Sequence, residues 1–152
     1  MTVYVALLRG INVGGHNKLK MEALRAVAEG CGFADVQTYI QSGNVVFGSR
    51  AGAAKVASEL HDAILVESGI DSRVVVRTAA QISAVLRDNP FLDRGAGPKT
   101  LHVTFVYDEA VPTLDAVAPA SYAPDEVLLG TRDAYLLTPT GVGRSQRATE
   151  SV

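Results

Sequence analysis

The chain opens on an apolar run, Val3-Tyr-Val-Ala-Leu-Leu8, in which both alternating sets of side chains are apolar: Val3, Val5 and Leu7 on one side, Tyr4, Ala6 and Leu8 on the other. A strand with two apolar faces is what a central, doubly covered strand looks like. The run predicts a first strand over residues 2–9, with Arg9 leaving it toward a covered face. Met21, Leu24, Val27, Ala28 and Cys31 then recur at helical spacing, while Glu22, Arg25 and Glu29 point away. Gly30 and Gly32 stop this helix, and Gly32 suits the left-handed position just past its end. Val36, Thr38 and Ile40 alternate with Gln37, Tyr39 and Gln41, and Val45-Val-Phe47 follows. These runs predict a hairpin of residues 34–41 and 44–48 around a two-residue Ser42-Gly43 turn. Val56, Leu60 and Ile64 stripe a second helix over 52–68, closed by Gly69, and Val74-Val-Val76 carries a strand over 71–77. The order is β-α-β-β-α-β. With right-handed crossovers it favours a ferredoxin-like sheet with both helices on one face.

The second half repeats the start of that order. Thr78-Ala-Ala-Gln81 is a capping box that opens a third helix with Ile82, Val85 and Leu86 inward, and Asn89-Pro90 ends it. Residues 93–99 have linker composition. Leu101–Tyr107 reads as a strand, Pro112–Ala118 as a short helix, and 126–130 with 134–138 as a second hairpin. The tail, residues 139–147, is glycine-rich and basic. The expected fold class is therefore α+β: two ferredoxin-like subdomains, 1–77 and 78–152, forming one compact unit, with the second incomplete at its C-terminus.

Composition narrows the class of function. Hydrophobic residues make up 47% of the 152-residue chain and charged residues 20%, as in ordinary globular proteins. The longest apolar run is far too short to cross a bilayer, and no signal-like segment opens the chain, so a cytoplasmic protein with no membrane partner is expected. The single cysteine, Cys31, excludes an internal disulfide and a cysteine metal centre, and falls on the apolar side of its helix as a small core residue. No metal-ligand motif occurs, so no metal site is predicted, and no cofactor is assigned. His61 and His102 read as structural or solvated residues. A net charge of −2 disfavours a broad nucleic-acid surface. Its distribution is uneven. Arg9, Lys18, Lys20 and Arg25 face only Glu22 near the N-terminus, whereas residues 108–133 hold six acids against Arg132. A local positive edge suits a small anion better than a duplex.

That edge coincides with the stretch from Arg9 to Lys20, between the first strand and the first helix. It holds Gly10, Gly14 and Gly15, the amides Asn12 and Asn17, the imidazole of His16, and Arg9, Lys18 and Lys20. Strand, glycine-rich loop and helix is a setting in which backbone N–H groups can point at an anion. The spacing matches neither a Walker loop nor a Rossmann loop, since His16 and Asn17 stand where a Walker loop needs Lys and Ser/Thr. The first and second strands run the same way in the expected topology, so the Gln41-Ser42-Gly43-Asn44 turn should lie at the same sheet edge as the glycine loop. Gln41, Ser42 and Asn44 join the candidate site on that ground. Three functions are compatible: a binder of a small phosphate-bearing ligand; an enzyme acting on an anionic substrate, with His16 as a base for Ser42 if the two loops converge; and an interaction or single-stranded RNA module. The last needs exposed aromatics on the free sheet face. Only Tyr4 and Tyr39 could supply them, in a chain with 6% aromatic residues, so it ranks last.

Leu8-Arg-Gly-Ile-Asn-Val-Gly-Gly15, Lys20-Met21, Thr38-Tyr-Ile-Gln-Ser-Gly-Asn-Val-Val-Phe47, Asn89-Pro-Phe91, Leu101-His-Val-Thr-Phe105 and Gly143-Arg-Ser145 together resemble the bacterial family called domain of unknown function 1697. The resemblance spans nearly the whole chain and implies a pair of ferredoxin-like subdomains. It implies no activity. Family members usually continue past the Gly-Arg-Ser motif into a helical segment, whereas here Gln146–Val152 diverges and stops. The resemblance therefore implies a second subdomain without its covering helix, whose apolar sheet surface a second copy of the chain could cover in a homodimer.

Overall fold

A computed structural model describes residues 1–40, 43–92, 101–105, 126–129 and 133–137. The expected helix at Pro112–Ala118, the linker at 93–99 and the basic tail lie outside the described residues, as do Gln41 and Ser42. The chain divides into two units, Met1–Val85 and Leu86–Val152.

The first unit is α+β. Its elements are β1 (Thr2–Leu8), α1 (Met21–Gly30), β2 (Ala34–Tyr39), β3 (Asn44–Ser49), α2 (Ala53–Ser68) and β4 (Val74–Thr78), and α3 (Ala79–Arg87) begins in it. The four strands form one sheet in the order β2-β3-β1-β4. β1 is antiparallel to both neighbours, with Val5 opposite Val46 of β3 and Arg77 of β4. One face carries the core. Tyr4, Ala6 and Leu8 of β1, Val45 and Phe47 of β3 and Val74 and Val76 of β4 bury against Leu24 and Ala28 of α1 and Val56, Leu60 and Ile64 of α2. Each valine, leucine, isoleucine or phenylalanine among them contributes about 1.5–3 kcal/mol when fully buried. Phe33 stacks on Phe47 with centroids 4.3 Å apart. The other face is only partly covered: Val5, Leu7, Val46 and Val75 are half-buried and Val3 is exposed. Arg77 on that face is buried, its Nη1 donating to the Val76 carbonyl at 3.1 Å.

The helix ends follow the punctuation in the sequence. Cys31 caps α1, and Gly32 behind it takes φ +83°. Gly69 ends α2 with φ +72° and an N–H bond to the Leu65 carbonyl. The capping box forms at α3, with Thr78 N–H donating to Gln81 Oε1 at 2.8 Å and Gln81 N–H to Thr78 Oγ1 at 3.1 Å.

Two local readings are corrected. Tyr39 pairs with Asn44, so residues 40–43 connect the hairpin, two more than a Ser42-Gly43 turn. Ile40 takes φ +53° and is exposed, which ends the alternation that placed it with Val36 and Thr38. The reason lies in β1: the Leu8 N–H binds the Gly43 carbonyl at 3.0 Å and so draws Gly43 out of a tight turn. Arg9 is exposed, not covered, because it follows the half-buried set Val5 and Leu7 and leaves the sheet at its end.

The second unit holds a three-stranded antiparallel sheet ordered β5 (Leu101–Phe105), β7 (Asp133–Leu137), β6 (Glu126–Leu129). β6 and β7 make the expected hairpin. Phe91, Ala134, Tyr135 and Leu137 are buried in this unit. Burial, then the charges of Asp133 and Asp88, pushes the Tyr135 phenol above its ordinary pKa.

Gly43 offers a sharp test of the β1 contact. It has φ +89°, and a Cβ there would sit 3.0 Å from the Leu8 Cβ. Gly69 has a similar φ but open space around it. Gly69→Ala should cost about 1 kcal/mol from left-handed backbone strain alone, and Gly43→Ala distinctly more, by urea denaturation. Equal losses would mean that the approach of Gly43 to β1 is slack.

Candidate functional site

The glycine loop is built from its root outward. At the root, three connections meet at one end of the four-stranded sheet. Leu8 N–H reaches the hairpin connection at Gly43, and Arg9 N–H donates to the Arg73 carbonyl at 3.0 Å. Ser72, 3% exposed, donates its hydroxyl to the Arg9 carbonyl at 2.7 Å. The glycine loop and the hairpin connection thus share an edge, as strand direction requires, and the α2–β4 connection joins them.

Beyond the root, the loop folds on itself. Gly10, Asn12, Gly14, Gly15 and Asn17 all have positive φ, between +50° and +77°. Asn12 Nδ2 donates to the Leu19 carbonyl and Asn12 Oδ1 accepts from the Leu19 N–H, both at 2.8 Å. Asn12 N–H binds the Asn17 carbonyl at 3.1 Å, and Asn17 Nδ2 binds the Gly10 carbonyl at 3.0 Å. His16 N–H returns to the Val13 carbonyl at 2.9 Å, so Gly14 and Gly15 form the tip. Ile11 and Leu19 are buried and pin the loop to the core. The amides of the candidate stretch, Asn12 and Asn17, therefore bond to the loop's own backbone. Asparagine suits both positions, because it tolerates left-handed φ and mimics a backbone partner.

The charged groups behave differently. The side chains of Arg9, His16, Lys18 and Lys20 are exposed and make no hydrogen bond or ion pair with other described residues. Lys18 and Lys20 line a depression of about 540 Å³ together with Asn12, Gly15, Leu19 and Met21. Lys20 is also the N-cap residue of α1 and gives it no side-chain cap. The first-turn N–H groups of that helix, which have no intrahelical acceptor, thus open beside the two ammonium groups. Arg9, His16 and Asn44 are not in the depression's lining. Asn44 is half-buried, with Nδ2 donating to the Tyr39 carbonyl at 3.3 Å. Gln41 and Ser42 lie outside the described residues, and with them the pairing of His16 with Ser42.

Of the two aromatics considered for RNA, Tyr4 is buried on the helix-covered face and donates its hydroxyl to the Ala51 carbonyl at 2.8 Å, whereas Tyr39 is 70% exposed. Among the described residues no helix is long and apolar enough to cross a membrane, and no group of three His, Cys, Asp or Glu side chains is arranged to hold a metal ion. Cys31 is half-buried, with burial first and the Glu59 charge second pushing its thiol up, so little thiolate is available for nucleophilic chemistry.

Comparison with known proteins places the chain in a family. The family described as protein of unknown function (DUF1697) matches residues 1–135. The chain belongs to this family. A conserved bacterial protein from Streptococcus pneumoniae has a similar solved structure, at TM-score 0.73 and 21% sequence identity, covering 98% of this chain and 89% of that one. At that identity the likeness shows the fold. A search of curated proteins found no match.

One arrangement in this DUF1697 protein has little trace in the sequence. His61 of α2 lies between two carboxylates, with Nε2 2.7 Å from Asp71 Oδ1 and Nδ1 3.0 Å from Asp62 Oδ1. The Asp71 contact, then the Asp62 contact, raises the imidazole pKa above 6.5. Gly69 was the available signal: it turns the chain back at the end of α2, which returns Asp71 to the helix it has just left.

The inward-turned amides make a prediction. Asn12→Ala removes both bonds to Leu19 and should destabilise the protein by about 1–3 kcal/mol in chemical denaturation, because buried backbone groups lose their partners. A neutral effect would mean that the loop is not held by Asn12.

Proposed function

We propose that this DUF1697 protein binds a small phosphate-bearing anion at the glycine loop, and that its first unit is a ferredoxin-like subdomain whose sheet presents that loop. The observation that carries the binding reading is the shared depression: Lys18 and Lys20, exposed and without described partners, beside Gly15 and the start of α1. The subdomain reading rests on the sheet order β2-β3-β1-β4 under the element order β-α-β-β-α-β. Two ammonium groups act as point charges and favour a compact dianion over a planar carboxylate, which an Arg fork would suit better. A volume of about 540 Å³ lies within the range of small-ligand sites. The hairpin connection forms the neighbouring lip. A cytoplasmic setting belongs to the same reading and rests on the lone cysteine. The burial of Tyr4 sets the RNA reading further back.

Thermal-shift measurements with inorganic phosphate, pyrophosphate and mononucleotides test the site. A ligand at 100 times its Kd adds about 2.7 kcal/mol, which corresponds to a rise of roughly 5–10 °C for a chain of this length. The rise should appear for at least one phosphate compound and largely vanish in a Lys18→Ala/Lys20→Ala double variant. No rise with any anion, or an equal rise in the variant, would overturn the assignment.

A further inference from the structure

We propose that His61 and Asp71 form a proton-sensitive latch that sets how firmly the root of the glycine loop is held. The inference does not depend on what the loop binds. Its basis is a short relay of contacts. His61 Nε2 meets Asp71 Oδ1 at 2.7 Å. The next residue, Ser72, is buried and donates its hydroxyl to the Arg9 carbonyl at 2.7 Å. The residue after that, Arg73, accepts the Arg9 N–H at 3.0 Å. The connection at 71–73 is therefore tied at one end to α2 through His61 and at the other to the first residue of the glycine loop.

Protonation acts on the first tie. A doubly protonated ring donates from both nitrogens, to Asp71 and to Asp62. A neutral ring has one N–H, so it loses one of these contacts and turns a lone pair toward a carboxylate. The contact that survives still ends on an ionised carboxylate but has lost the ring's positive charge, and with it the ion-pair attraction to both acids. The charges facing the ring are Asp62 from α2 itself and Asp71 from the connection; α1 and β4, which also pack against α2, supply no charge that shifts it. Both facing groups are acids and raise the folded-state pKa, so the sign is fixed. The latch is fully made below about pH 6.5, the unfolded value for histidine, and loosens as pH rises through the higher folded value. His61 is partly exposed and Asp71 largely so, which keeps the effect modest.

Ring NMR of His61, recorded alongside hydrogen exchange of the Arg9 amide and corrected for intrinsic rates, tests the latch in the full chain. The His61 midpoint should lie above 6.5. Across that titration the Arg9 protection factor should fall about two- to fivefold, the range an exposed ion pair supplies, while the Leu24 amide in α1 keeps its protection. Asp71→Asn should lower the midpoint and abolish the Arg9 step. Asp62→Asn should move that step to lower pH and keep it. The wild-type titration decides even if a variant fails to fold: an Arg9 amide indifferent to the His61 titration would overturn the proposal. So would a step that survives unchanged in Asp71→Asn.

Discussion

The structure of the first unit depends most on how β1 ends. Three hydrogen bonds converge on two consecutive residues: Leu8 N–H to Gly43, Arg9 N–H to Arg73, and the Ser72 hydroxyl to the Arg9 carbonyl. A central strand must have both edges paired, and β1 has β3 on one side and β4 on the other. Past Leu7 on the β3 side and past Leu8 on the β4 side, the partners are no longer strand residues but the connections that lead into β3 and β4. The loop that follows therefore starts from a point fixed on both sides. The direction in which Gly10 leaves the sheet is set before any residue of the loop itself contributes.

From that point the loop separates the residues that hold it from the residues that face solvent. Holding falls to Asn12, Asn17, Ile11 and Leu19, through side-chain bonds to backbone and through burial. The outward groups are the cations and the tip glycines. Loop backbone needs hydrogen-bond partners wherever it leaves water, and short amides supply them without the bulk of a longer side chain. The cost is that these amides are committed to the loop. A ligand at this edge would meet ammonium groups and backbone N–H, and only secondarily asparagine.

Much of this architecture was legible in the sequence, for physical reasons. Helix stripes such as Val56, Leu60 and Ile64 record which face is buried, and Gly32, Gly69 and the Thr78–Gln81 box record where helices end. Those signals are local, because the residues that carry them act within a turn or two of the chain. What sequence could not show is what depends on distant partners. The length of the β2–β3 connection is set by Leu8 pulling on Gly43, some 35 residues away. Tyr4 could have faced solvent on sequence grounds, but it is buried and its hydroxyl finds the Ala51 carbonyl. Cations at 18 and 20 were visible as charge; that they border one depression, and that Arg9 does not, follows from the turn of chain between them. The glycines showed that the loop was special, and the pattern of left-handed residues, two of them asparagines, shows why substitution there is constrained.

The same separation explains how a loop can be rigid and still available. Ordering a chain segment costs roughly 1–2 kcal/mol per residue in conformational entropy, and a flexible loop would lose that from any affinity it gained. Here the loss is met during folding, through the Asn12 staple and the burial of Ile11 and Leu19, none of which involves an exposed charge. Lys18 and Lys20 are exposed and take no part in that scaffolding. Changes to Asn12 should therefore register first in stability, and changes to the lysines first in anion response, because the Asn12 bonds go to backbone and not to the charged side chains. If removing the lysines instead destabilised the fold as much as removing Asn12, the cations would be part of the scaffold, and the depression they border would be a by-product of how the loop packs.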